Sequence, residues 1–151
     1  MTWSASTAER SKMSQRYVLD AWALLAMLQG EEPAASRVRQ LLAEGEQRQV
    51  DLRLSIVNLG EVYYRIGKRS DRATAQDTIS QIRRLPLTIV SATDELVWAA
   101  AELKMEFALS YADAFAAALA ASTDATLISG DLELEQVCNY IKLEKLQRSR
   151  S

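Results

Sequence analysis

Apolar residues follow two rhythms along this chain. Short apolar runs at Tyr17-Val18-Leu19, Val50–Leu54, Leu87–Val90 and Thr126–Ser129 predict four strands, and Ile141–Leu143 predicts a fifth. Between them, apolar residues recur at helical spacing. A helix is expected over Ala21–Gln29, closed by Gly30, and another from Pro33, well suited to a first turn, to about Glu44, with Val38, Leu41 and Leu42 on its inner face. Ser55 is placed to cap a helix carrying Leu59, Val62, Tyr63 and Ile66, which Gly67 is expected to end. A further helix over Ser70–Leu85 is amphipathic through Ala73, Ile79 and Ile82. Thr93 caps the helix through Leu96, Val97, Ala100 and Leu103. Ser110 caps the last, Tyr111–Ser122, so nearly all apolar that it should be buried. Strands alternating with helices predict an α/β fold with a mostly parallel central sheet. There is no internal repeat and no linker. One domain is expected over 16–147, preceded by a flexible Ser/Thr-rich tail over 1–15 in which Met13 is an alternative start.

Composition narrows the chemistry more than the fold. The chain has 151 residues, 48% of them hydrophobic and 25% charged, enough to bury a full core. Eighteen basic residues against 20 acidic ones give a net charge of −2, so any nucleic-acid site must be a local patch. The densest basic segment is Arg65, Lys68, Arg69 and Arg72, which reads equally as a phosphate contact, a solvated loop or a partner surface. Trp22, Tyr63 and Tyr64 are candidates to stack on bases, with core packing the simpler role for Trp22. The single cysteine, Cys138, rules out an intrachain disulfide and fits a reducing cytoplasm, and no apolar stretch is long enough to span a membrane. There is no histidine. That removes Ser-His-Asp and Cys-His catalysis, histidine acid–base cleavage of RNA and histidine-based zinc sites. Carboxylates, hydroxyls, amines or an oxygen-bound hard metal ion must carry any catalysis.

Four acids stand where such chemistry collects. Functional groups in open parallel sheets gather beyond the carboxyl ends of the strands. Asp20 follows the first strand and Asp131 the fourth, so both face one sheet edge. Glu61 lies on the helix after the second strand, and Asp113 sits in the first turn of the buried helix. Each also has an ordinary role. Asp20 and Asp131 suit helix N-caps, Asp113 completes a variant capping box with Ser110, and Glu61 can pair with Arg65 at i, i+4.

The segments Tyr17-Val18-Leu19-Asp20, Asn58-Leu59-Gly60-Glu61-Val62, Leu109-Ser110-Tyr111-Ala112-Asp113-Ala114 and Ser129-Gly130-Asp131, in this order, resemble the PIN-domain family, most closely its VapC-type toxins. The resemblance runs from about Arg16 to Leu146 and is strongest around Asp113. It implies a three-layer α/β/α fold and a metal-dependent endoribonuclease, with Asp20, Glu61, Asp113 and Asp131 binding Mg²⁺ or Mn²⁺. It also implies an RNA substrate, a small neutralising antitoxin and a homodimer. Asp20 and Asp113 are the first choices as direct ligands. Asp131 would join directly or through water, and Glu61 would hold a second ion or orient the attacking water. Water attack would leave a 5′-phosphate and a 3′-hydroxyl. Ser129 matches a Ser or Thr common before the last acid. Glu133 is either an auxiliary acid or an ordinary first-turn acid. Leu134 departs from the pattern, which commonly has an aromatic shortly after the last acid. The alternative function is a non-cleaving PIN-like module that binds nucleic acid or protein. A phospho-acceptor receiver domain fits less well, because Leu19 stands where that fold pairs a second acid with Asp20.

Overall fold

Tyr17, Val18 and Leu19 make the centre of the molecule because both sides of their strand are covered. Tyr17 and Leu19 face one hydrophobic core and Val18 the other, as the two-residue strand period requires. The computed structural model describes residues 15–149. The expectation of a tail over 1–15 lies outside that range except for Gln15, which opens strand β1 (Gln15–Leu19). The other strands are β2 (Val50–Ser55), β3 (Thr88–Val90), β4 (Thr126–Ser129) and β5 (Lys142–Lys145). They form one sheet in the order β3-β2-β1-β4-β5, with all four pairings parallel.

Helices α1 (Ala21–Leu28), α2 (Ala34–Glu46), α3 (Ile56–Arg69) and α4 (Arg72–Arg83) pack with Leu19, Leu52, Leu54 and Ile128 on one face. Helices α5 (Asp94–Glu106) and α6 (Tyr111–Ser122), with a 3₁₀ turn at Leu132–Val137, pack with Val18 and Leu127 on the other. This is the three-layer α/β/α fold that the apolar rhythm and the family resemblance imply. Ala114 and Ala116 to Ala120 with Phe115 and Leu119 are all buried, so α6 is the interior helix its composition predicts. Among the described residues, no helix is long and apolar enough to cross a membrane.

Three local expectations fail for identifiable reasons. Helix α3 runs through Gly67 to Arg69. Gly67 does not adopt the positive φ of a helix-ending glycine. Its Cα instead faces Ala75 of α4, where an added Cβ would meet the Ala75 Cβ at 3.8 Å. Helix α4 is capped by Asp71, whose carboxylate accepts from the Thr74 N–H at 2.7 Å, so it starts later than Ser70. Pro33 precedes α2 as its capping residue instead of forming its first turn.

Candidate metal centre

The strand order puts the chain's switch point between β1 and β4. From β1 the chain leaves toward β2, and from β4 it leaves toward β5, which opens a crevice at their carboxyl ends. Leu19 pairs with Ile128, so Asp20 and Ser129 are the next residues of the two strands, and Asp131 follows two further on. Helix α6 delivers Asp113 to the same place and α3 delivers Glu61.

The ordinary roles foreseen for Asp20, Asp131 and Glu61 are realised, while only the Ser110 half of the Ser110–Asp113 capping box forms. Asp20 caps α1, its Oδ1 accepting from the Ala23 N–H at 2.9 Å. Asp131 Oδ1 accepts from the Glu133 N–H at 3.0 Å, and Ser129 Oγ accepts from the Asp131 N–H at 3.0 Å. Ser110 Oγ accepts from the Asp113 N–H at 3.1 Å. Glu61 accepts from Arg65 Nε at 2.7 Å. The Asp20 cap uses one carboxylate oxygen, and Ser110, not Asp113, caps α6. The second oxygens of Asp20 and Asp113, residues only 1% and 5% exposed, are buried and without a hydrogen-bond partner. A buried acceptor left in this way is expensive and calls for a missing partner.

The carboxylates also crowd one another. Asp113, Asp131 and Glu133 each bring an oxygen within 4.8 Å of the others. Glu61, Asp113 and Asp131 line one cleft of about 660 Å³. The structure therefore brings Glu61, Asp113 and Asp131 to one cleft and draws in Glu133, which the sequence left between two readings, with Asp20 buried behind them and within reach of the charges of Asp131 and Glu61. Burial pushes the Asp20 carboxyl up to about 7, assisted by the charges of Asp131 and Glu61, while the nearby Ser129 hydroxyl and the Ala23 amide pull it down. Burial pushes Asp113 up to about 8, with the adjoining Asp131 carboxyl next in effect and then the charges of Asp20 and Glu133. Two orphaned buried oxygens, a crowd of acids and an all-oxygen donor set fit a hard divalent cation such as Mg²⁺ or Mn²⁺.

The cleft walls carry the opposite charge. Tyr64, Arg65, Lys68 and Arg69 line it, and Lys68 Nζ lies 5.7 Å from the Tyr64 ring centre. Tyr63 instead lines the separate groove between α3 and α4, and Arg72, the first residue of α4, is not on the cleft wall. Trp22 is partly buried against the core, as its simpler role requires, and its ring also lines the cleft. The sequence did not single out Arg148, which lies just past the expected domain end. Its guanidinium sits 5.2 Å from the Trp22 ring centre, pairs with Glu31 at 3.1 Å and completes the wall. Asn58 was quoted in a motif but given no role. It is 1% exposed, and its only outward sign was a polar residue standing between Val57 and Leu59.

Gly130 is required by close approach and not by backbone conformation. A Cβ there would lie 2.3 Å from the Trp22 ring. Gly130→Ala is therefore expected to lower stability by about 1–3 kcal/mol through overpacking. Gly60→Ala, in α3 with nothing within 4 Å of the new methyl, should raise it by about 0.5–1 kcal/mol. Thermal melts of the two variants check this, and equal shifts of the same sign would rule out the Trp22 contact as the reason for Gly130.

Comparison with known proteins agrees with the geometry. The PIN domain family model matches residues 17–140. No curated protein matches the chain by sequence. Among solved structures, the chain is similar to VapBC2 from Rickettsia felis, bound to a DNA fragment from its promoter, at 17% identity and TM-score 0.68, covering 88% of this chain and 100% of that one. It is similar to VapC20 of Mycobacterium tuberculosis, a Sarcin-Ricin loop cleaving toxin, at 16% identity and TM-score 0.66, covering 88% and 99%. PAE2754 from Pyrobaculum aerophilum is similar at 20% identity and TM-score 0.56, covering 86% and 91%. With the family model spanning all four acidic segments, and with a fold shared with VapC structures, the chain belongs to the PIN-domain family.

Proposed function

We propose that the chain is a Mg²⁺- or Mn²⁺-dependent endoribonuclease and the toxin of a toxin–antitoxin pair. The observation that carries this reading is the pair of buried, unpartnered oxygens on Asp20 and Asp113, set among further acids in a cleft with basic and aromatic walls. Family membership supports nuclease chemistry. The likeness to VapC20, a Sarcin-Ricin loop cleaving toxin, supports RNA as substrate, and the likeness to VapBC complexes supports an antitoxin partner. Asp20, Asp113 and Asp131 would hold the cation, with Glu61 and Glu133 beside them. The bound ion supplies an activated water and neutralises charge on the scissile phosphate. Lys68, Arg69 and Arg148 would hold backbone phosphates and Tyr64 would stack on a base, offsetting the repulsion between the acids and RNA. Arg65 pairs with the Glu61 carboxylate at 2.7 Å. A cytoplasmic location and a homodimer complete the proposal. Trp98 and Met105, 69% and 82% exposed and two turns apart on α5, are apolar side chains that such an assembly would cover.

The test is incubation of the purified protein with single-stranded and stem-loop RNA in Mn²⁺, in Mg²⁺ and in EDTA. Internal cleavage leaving a 5′-phosphate and a 3′-hydroxyl is expected with either metal and not in EDTA. Undiminished cleavage in EDTA would overturn the metal mechanism. RNA binding without cleavage under every condition would favour the non-cleaving module instead.

A further inference from the structure

Asn58 is bonded to the chain neighbours of both acids whose second oxygens lack partners. Its Oδ1 accepts from the Ala21 N–H at 3.0 Å, and its Nδ2 donates to the Ala112 carbonyl at 3.2 Å. Ala21 directly follows Asp20, and Ala112 directly precedes Asp113. One buried amide thus joins the N-termini of α1 and α6 to α3, across sequence separations of 37 and 54 residues. Glu61 lies three residues after Asn58 in α3, on the same side of the helix, so the same anchor fixes the rotation that brings Glu61 to the cleft.

A planar amide with both ends engaged holds its partners at a fixed spacing. Asp20 and Asp113 are each one peptide unit from it. Their carboxylates crowd against other acids, and without a restraint, repulsion would spread the two helix ends apart. A satisfied buried polar group of this kind specifies geometry more than it adds stability. We infer that Asn58 is a positioning residue that sets the separation of Asp20 and Asp113 for the divalent cation; this rests on the metal-dependent reading above. It touches neither substrate nor cation and acts through the two backbone segments.

The test is the Mn²⁺ dissociation constant, measured by titration calorimetry on the full chain, for wild type, Asn58→Ala, Asn58→Ser and Val38→Ala. Asn58→Ala removes both hydrogen bonds. Asn58→Ser is the milder change, since one hydroxyl cannot occupy both ends of the amide. Val38→Ala opens the buried core under α2, away from the acids, and controls for lost stability. Both Asn58 variants should bind Mn²⁺ about tenfold or more weakly, the scale typical of groups that orient metal ligands. Val38→Ala should keep the wild-type affinity. With RNA, the Asn58 variants should lose kcat while KM stays close to wild type, because the Tyr64, Arg69 and Arg148 wall is untouched. Asn58 variants that melt earlier but bind Mn²⁺ as tightly as wild type would overturn the inference and leave the metal-dependent function standing. Wild type that binds no Mn²⁺ would overturn both.

Discussion

Asp113→Asn is expected to reduce RNA cleavage by at least about a hundredfold, beyond the 10–100-fold typical of groups that only orient a metal ligand, while the protein stays folded. Asparagine has nearly the shape of aspartate, so the buried first turn of α6 keeps its packing. What disappears is a negative charge and a carboxylate oxygen that no protein donor satisfies. The fold does not need that charge, because it opposes Asp131 and Glu133 close by. Asp20→Asn should behave in the same way, since the new side chain keeps an oxygen for the Ala23 N–H and so preserves the α1 cap. Glu61→Gln should cost less, as that carboxylate already has Arg65 as a partner. In cells, production of the wild type without an inhibitor should arrest growth, and Asp113→Asn should relieve the arrest. The decisive measurement is kcat/KM in Mn²⁺ alongside near-ultraviolet circular dichroism. A folded Asp113→Asn protein with wild-type cleavage would remove Asp113 from the centre.

Much of this arrangement was legible before any coordinates. Short strands rich in apolar residues and amphipathic helices mark the layers because burial on one or both faces leaves a direct signature in the sequence. Asp20 and Asp131 could be placed at one edge because both end apolar runs of a parallel sheet. The illegible parts depend on residues far apart in the chain. Gln15 and Arg16 are polar and exposed but join β1 by pairing with Val50 and Asp51, which their side chains do not announce. Gly67 has the composition of a stop signal, but its use is decided by Ala75 packing beside it. The α4 start moves past Ser70 because the Asp71 carboxylate caps the helix at the Thr74 N–H. Arg148 reaches the cleft because backbone bonds from the Ala34 N–H to the Gln147 carbonyl and from the Ser149 N–H to the Glu32 carbonyl bring the C-terminal segment back against the connection between α1 and α2. Asn58 could not be read because its partners, Ala21 and Ala112, contribute only backbone atoms.

The centre should also reveal itself in stability, without any substrate. Without a cation, Asp20 and Asp113 have folded-state values of about 7 and about 8, against 3.8 for the ordinary side chain. Below about pH 4 both folded and unfolded chains hold these protons, and the two acids carry no penalty. As pH rises past the unfolded value, the unfolded chain releases protons that the folded chain keeps, so unfolding is favoured. The penalty grows until the folded carboxyls ionise too, and is constant above about pH 8. The metal-free protein should thus lose stability from about pH 4 to about pH 8, by on the order of a few kcal/mol. The absence of histidine makes this slope easy to assign, because the residue that normally titrates in this range is missing. A bound cation requires the ionised carboxylates and stabilises only the folded state, by about 2.7 kcal/mol at a hundredfold excess over its dissociation constant. Mn²⁺ should therefore raise the melting temperature strongly at pH 8 and barely at pH 5. Asp113→Asn should melt higher than wild type at pH 8 in EDTA, show a flatter pH dependence and respond less to Mn²⁺. A purely structural role in the first turn of α6 predicts the reverse: lower stability at every metal concentration and an unchanged response. Melts of both proteins at pH 5 and pH 8, with EDTA and with Mn²⁺, separate the two. Equal Mn²⁺ shifts in wild type and variant would mean that the unpartnered oxygen of Asp113 does not serve a cation.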